Sequence, residues 1–246
     1  MKILIHGSTG RMGKILCQLL EEGYPGLELA ARVSPEEIAD PAHCIYTSLQ
    51  DVDCQVDGVI DFSHHTAVGA LMDFCMAKNL PVVVSTTGHT PEEKEIIAEA
   101  AKKIPVFFSA NMSIGVALVA ELAKKAASVF PDANIEIVEK HHNQKLDVPS
   151  GTALLLAHLI QEALTDSVLL VGRHENGKRT AKEIGIHSLR LGNEVGTHEI
   201  IITTGAETIT LKHEAENRSL FANGALAAVK FLEGKAAALY SMRDII

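Results

Sequence analysis

No apolar run in this chain is long enough to span a bilayer, which excludes a membrane-spanning helix. The opening Met1-Lys2-Ile3-Leu4-Ile5 enters a glycine turn at once, too short a stretch for a signal peptide. Cysteine is sparse: Cys17, Cys44, Cys54 and Cys75 lie in the first third and show no CxxC spacing. That pattern excludes a disulfide framework or zinc site and fits thiols of a reducing compartment. Positive charge is in deficit, with a formal net charge of −9 over 246 residues. General nucleic-acid or acidic-membrane binding is therefore not expected, and an anionic ligand needs a local positive site working against the global field. Internal repeats and low-complexity segments are absent too. The expectation is a cytoplasmic, globular protein of one large domain or two modest ones.

The first half is an alternation of strand and helix patterns. Apolar runs at 3–5, 27–31, 58–62, 81–84 and 106–108 read as strands, and 14–22, 67–78 and 90–103 as helices. Thr90, Pro91 and Glu93 supply an N-cap, a first-turn proline and a capping box. Apolar strands separated by helices predict an α/β unit with a parallel sheet covered on both faces. Residues 34–57 carry no regular pattern. In the second half, a helix over 114–129 precedes a strand at 134–138 and a helix at 153–164. Extended runs at 185–191, 198–204 and 208–213 follow, then a helix over 220–232. Consecutive strands predict an antiparallel or mixed sheet in an α+β unit.

The first βα turn reads Gly7-Ser8-Thr9-Gly10-Arg11-Met12-Gly13, a GxxGxxG variant of the dinucleotide fingerprint. Its glycines allow a tight turn, close approach of a pyrophosphate and close helix–sheet packing. The acidic ribose ligand usual at the end of the second strand is missing from Ala30-Ala31-Arg32-Val33-Ser34. Arg32 and Ser34 suit a 2′-phosphate and favour NADPH, while Glu36 and Glu37 keep NADH open. Ser85-Thr86-Thr87-Gly88 and Ser109-Ala110-Asn111-Met112 follow later strands, where small side chains and free amides suit a ribose and nicotinamide.

The run from Glu139 to Thr152 holds His141, His142, Lys145 and a Ser150-Gly151-Thr152 turn. Pro149 forbids a helix through the histidines, so they and Lys145 are expected on a loop leaving a strand. Ser150, Gly151 and Thr152 open the next helix and form an anion site. A proton donor near neutrality, a cation and an anion cradle together point to acid catalysis on a small carboxylate. No metal site is expected: no HExxH pair occurs, and His64 and His65 read as helix-entry residues.

These motifs, with Asp61-Phe62-Ser63 and Phe221-Ala222-Asn223-Gly224-Ala225, resemble the dihydrodipicolinate reductase family from Met1 to Met242-Arg243-Asp244. The resemblance implies a Rossmann dinucleotide-binding domain (1–112 and 219–246, discontinuous) and an α+β substrate-binding and tetramerisation domain (113–218). It implies NAD(P)H-dependent reduction of 4-hydroxy-tetrahydrodipicolinate, a small dicarboxylate, in lysine (diaminopimelate) biosynthesis by a homotetramer. By motif position, His141 falls on the general acid/base and Lys145 on the proton donor. His142, Gly151, Thr152 and Arg218 fall on substrate positions. Gly7 to Met12, Ser85 to Thr87 and Ser109 to Met112 fall on cofactor positions. Ser85 departs from a usual glycine, and Leu191, Asn193 and Thr197 alter a strand region. Two other readings remain open: another NAD(P)-dependent two-domain dehydrogenase, or a non-catalytic NAD(P)H sensor.

Overall fold

Ile3, Leu4 and Ile5 are all fully buried, as consecutive strand residues are in the interior of a sheet covered on both faces. They belong to strand β1 (Lys2–His6) of the computed structural model, which describes residues 1–246. Helix α1 (Arg11–Glu21), β2 (Glu28–Val33), β3 (Ile45–Tyr46) and β4 (Gly58–Asp61) follow. Then come α2 (Val68–Lys78), β5 (Val82–Val84), α3 (Pro91–Ala101) and β6 (Pro105–Phe108). The patternless stretch 34–57 holds β3 and two single-turn 3-10 helices, Pro41–His43 and Leu49–Asp51.

Beyond Ser113 the chain builds a separate unit, Ile114–Arg218. It consists of α4 (Ile114–Val129), β7 (Asn134–His141), α5 (Gly151–Ala163), β8 (Val168–Val171), β9 (Glu183–Arg190), β10 (Thr197–Thr203) and β11 (Thr208–Glu214). The chain then rejoins the first unit through α6 (Ser219–Phe231) and β12 (Ala238–Tyr240).

In the first unit all seven strands are parallel, in the order β12-β6-β5-β4-β1-β2-β3. Helix α6 packs against α1, β4 and β5, and the closing β12 extends the sheet beside β6. The second unit has a mixed sheet, β11-β10-β7-β9-β8, in which β10 is antiparallel to both neighbours and β7, β9 and β8 are parallel. One face of that sheet is closed by α4 and α5. Small residues of α4 (Ala120, Ala123, Ala127) and the i, i+3, i+4, i+7 stripe of α5 (Ala153, Leu156, Ala157, Ile160) pack on Ile135, Ile137, Ile186, Ile200 and Ile202.

Three features differ from the sequence reading. Helix α1 starts at Arg11, so Gly13 lies inside it; only a glycine fits there, since a Cβ would stand 2.1 Å from the Gly7 carbonyl oxygen. Strands β8 and β12 are too short and too exposed to show a pattern. Most consequentially, β7 runs on through Glu139-Lys140-His141. His141 is thus the last residue of a strand, paired with Arg190, and only His142 and Lys145 lie on the loop. Its polar residues hid the extension, because Glu139 and His141 find buried partners across the sheet rather than apolar ones.

Candidate active site

The strand-end turns of the first unit are tied together before any ligand arrives. Gly7 sits at φ +82°, where a Cβ would lie 2.6 Å from the Phe62 carbonyl oxygen, so this turn demands glycine. The Gly7 and Ser8 amides donate to Val33 O at 2.8 and 3.3 Å, fastening the turn to β2. Buried Asp61, at the end of β4, accepts from His6 Nδ1 (2.7 Å), Ser63 Oγ (2.6 Å) and Thr86 Oγ1 (2.6 Å). One carboxylate thereby cross-links the carboxyl ends of β1, β4 and β5, the edge where open α/β sheets bind ligands. Asp61 was quoted in the sequence only as part of a motif; an acidic residue closing an apolar strand is the signal that marks it.

The fit to a dinucleotide rests on the start of α1. Its N-cap is the exposed Gly10, and no side chain caps the helix, so its first N–H groups are open to a pyrophosphate. Arg11 is exposed beside it and Met12 half-buried. Thr86 is buried against Asp61, Thr87 is exposed, and Ser85 is buried with its hydroxyl unpartnered. Ser109 Oγ donates to Asn111 O at 2.7 Å, folding the turn after β6, with Ala110 exposed at its tip. Met112 is buried, and its carbonyl oxygen occupies the space a side chain at Gly224 would fill.

Arg32 and Ser34, expected to meet a 2′-phosphate, each have a partner within the chain. Arg32 is ion-paired with Glu21 of α1. Ser34 Oγ lies 2.7 Å from Thr9 Oγ1 and donates to Glu36. Thr9 Oγ1 also reaches Glu36 at 3.0 Å, and Ser8 Oγ donates to Glu37 at 2.8 Å. Hydrogen bonds from Ser34 and Thr9 hold the Glu36 carboxyl below the usual carboxylate range. The hydroxyls of the glycine turn therefore face two carboxylates, although Arg32 and Lys14 line the same depression.

In the second unit, strand periodicity puts Glu139 and His141 on the buried face of β7. His141 Nδ1 and Glu139 Oε2 are 2.5 Å apart. Burial alone would raise the Glu139 carboxyl, but hydrogen bonds from His141 and Arg190 outweigh it and hold the group ionised, well below its ordinary range. A methyl at Gly196 would come within 3.0 Å of His141 Nε2, so glycine here keeps a side chain off that edge of the ring. Ser150 caps α5: its Oγ accepts from Ala153 N at 3.1 Å and lies 3.0 Å from His198 Nε2. Burial, reinforced by the nearby His141, pushes His198 down to about 3, so this ring stays neutral. Gly151 is exposed at the helix start with Thr152 beside it. Lys145 reaches Asp147 Oδ1 at 2.8 Å, and its amide donates to His142 O at 3.2 Å. Arg218, half-buried, is the last residue of this unit. Buried His198 and Arg190 escaped the sequence reading, because only the β7–β10 and β7–β9 registers bring them beside His141.

Two family models cover the chain: dihydrodipicolinate reductase, N-terminus, over residues 1–112, and dihydrodipicolinate reductase, C-terminus, over 115–246. The 4-hydroxy-tetrahydrodipicolinate reductase of Caldanaerobacter subterraneus subsp. tengcongensis is 42% identical, with 100% of this chain and 98% of that protein covered. Its counterpart in Clostridium perfringens is 40% identical with the same coverage. A solved structure, dipicolinate-bound dihydrodipicolinate reductase from Paenisporosarcina sp. TG-14, superposes with a TM-score of 0.84 at 26% identity, covering 100% of this chain and 99% of the other.

Proposed function

The chain belongs to the dihydrodipicolinate reductase family, and we propose that it reduces 4-hydroxy-tetrahydrodipicolinate to tetrahydrodipicolinate in lysine biosynthesis. The observation that carries this reading beyond family membership is the second unit's grouping. A histidine with no side chain from Gly196 against its Nε2 edge, a lysine and a serine-capped helix start lie on the strand, loop and helix of one short segment. That combination suits a substrate with two carboxylates and a reaction that consumes a proton.

Net, the ring gains a hydride and a proton and loses one water. A bound nicotinamide dinucleotide supplies the hydride. Gly7, Ser8, Thr9, Gly10, Arg11 and Met12 would hold its pyrophosphate, with 85–87 and 109–112 toward its nicotinamide end. His141 keeps Nδ1–H on Glu139; it takes up a second proton at Nε2 and, as the imidazolium, delivers that proton from Nε2, the edge on which Gly196 places no side chain. Lys145 holds or protonates the developing anion at the carbon next to the hydride acceptor. The start of α5, with Thr152, His142 and Arg218, binds carboxylate.

For the cofactor, the carboxylates of Glu36 and Glu37 favour NADH. They offer acceptors to ribose hydroxyls and would repel a 2′-phosphate, while Arg32 is engaged by Glu21. This reverses the preference expected from Arg32 and Ser34. The assembly proposed is the family's homotetramer. The sheet face of the second unit opposite α4 and α5 carries Val138, Leu189 and Ile201 for a partner to cover.

The experiment is oxidation of each dinucleotide, followed at the nicotinamide absorbance, with freshly generated 4-hydroxy-tetrahydrodipicolinate. Substrate-dependent oxidation supports the reading. Cofactor binding without oxidation would move the protein to another substrate or to a sensor.

A further inference from the structure

Arg190 has no part in the chemistry above and Glu139 enters it only as the partner of His141, yet together they connect several of the groups that perform it. Glu139 is completely buried and saturated with donors: His141 Nδ1 at 2.5 Å, Arg190 Nη1 at 2.9 Å, Arg190 Nη2 at 2.8 Å and the Ser150 amide at 3.2 Å. The guanidinium reaches further, with Nη2 donating to Asp147 O at 2.8 Å and Nη1 to Leu189 O at 2.7 Å. Asp147 in turn holds the Lys145 ammonium. One planar fork and one carboxylate thus connect the imidazole of His141, the loop that carries Lys145 and the N-cap of α5. The register explains how: β7 and β9 run parallel, with His141 opposite Arg190.

A buried ion pair of this kind is a weak source of net stability, since desolvation of both charges offsets their attraction. Its geometry accounts for more. With Glu139 ionised, the neutral imidazole carries its proton on Nδ1, and Nε2, at the edge facing Gly196, is the nitrogen left to take up and pass on the reacting proton. With Arg190 in place, Glu139 stays ionised although it is completely buried.

We propose that Glu139 and Arg190 are positioning residues of the reaction: Glu139 sets the tautomer and orientation of His141, and Arg190 holds Glu139 and the Lys145 loop together. The proposal rests on the reading of His141 as proton donor in the reductase. It is tested with Glu139→Gln and Arg190→Lys. Glutamine keeps the shape and can still hydrogen-bond the ring, but its amide can donate to Nδ1 and so select the wrong tautomer. Lysine keeps the charge and loses the bidentate fork.

Each variant is compared with the native enzyme in steady-state kinetics, in binding of pyridine-2,6-dicarboxylate and in the 15N shifts of its labelled histidines. The native spectrum is expected to show His141 protonated at Nδ1, and Glu139→Gln to lose that single tautomer. Turnover should fall about 10²-fold in Glu139→Gln, with KM for the dinucleotide unchanged. Arg190→Lys, which retains a cation but loses the fork, should also lower turnover, by less than Glu139→Gln does. Native turnover with unaltered kcat and unaltered His141 shifts in Glu139→Gln would overturn the positioning role while leaving the reductase reading intact. A native enzyme with the expected tautomer but no turnover would instead overturn the reductase reading.

Discussion

At the scale of single residues, the second unit spends polar groups where a core would normally spend apolar ones. Glu139, His141, Ser150 and His198 are all buried, and each has a hydrogen-bond partner among the others. His141→Gln and Lys145→Ala should each lower kcat by about 10²-fold or more while the dissociation constant for NADH, measured by fluorescence, stays within about twofold. Retained turnover in both variants would remove these two side chains from the mechanism. The same burial has a cost in acid. Burial pushes His198 down from its ordinary value of 6.5 to about 3 in the folded protein. Between those values the unfolded chain binds a proton that the folded chain refuses, so stability falls as pH drops through about 6.5 toward about 3. His89 and His213, lowered first by burial, act in the same direction. Urea unfolding at pH 7.5 and pH 5.5 should therefore show a smaller loss in His198→Asn than in the native protein, relative to each at the higher pH.

At the scale of elements, the glycine turn and α1 show how much local sequence determines. The Gly7 and Gly13 positions are set by hard contacts with Phe62 and with the turn itself, so the fingerprint was readable without knowing the fold. Gly7→Ala adds both a clash at 2.6 Å and an unfavourable positive φ. It should abolish measurable NADH binding by calorimetry, and near-native affinity would place the dinucleotide elsewhere. The capping box of α3 was equally legible, since Thr90 and Glu93 interact within one turn. The end of β7 was not. Proline at 149 pointed to a loop, and three polar residues ended the apolar run, yet pairing with β9 and β10 keeps the strand extended to His141. The same limit hid Arg190, whose role depends on a partner strand some fifty residues away. The partner of Arg32 was hidden for a related reason: Glu21 reaches it from the neighbouring helix, a contact that strand spacing alone does not disclose.

At the scale of the whole molecule, the sequence alternation was enough to separate a parallel sheet from a mixed one, and the structure adds the edge strands β8 and β12. A net charge of −9 sets the general field against a dicarboxylate substrate, so the proposed recognition depends on a few local cations and the helix start in the second unit. Assembly should also be visible at this scale: sedimentation equilibrium is expected to give the mass of four 26.4 kDa chains, and a monomer would contradict the proposed tetramer. The most direct measurement is the initial rate of NADH and NADPH oxidation by the native protein with freshly generated 4-hydroxy-tetrahydrodipicolinate. Rapid, substrate-dependent oxidation is expected, with kcat/KM for NADH higher by about tenfold, the effect of roughly 1.4 kcal/mol. No oxidation of either dinucleotide, despite measured binding of both, would contradict the assignment of this chain as a working reductase.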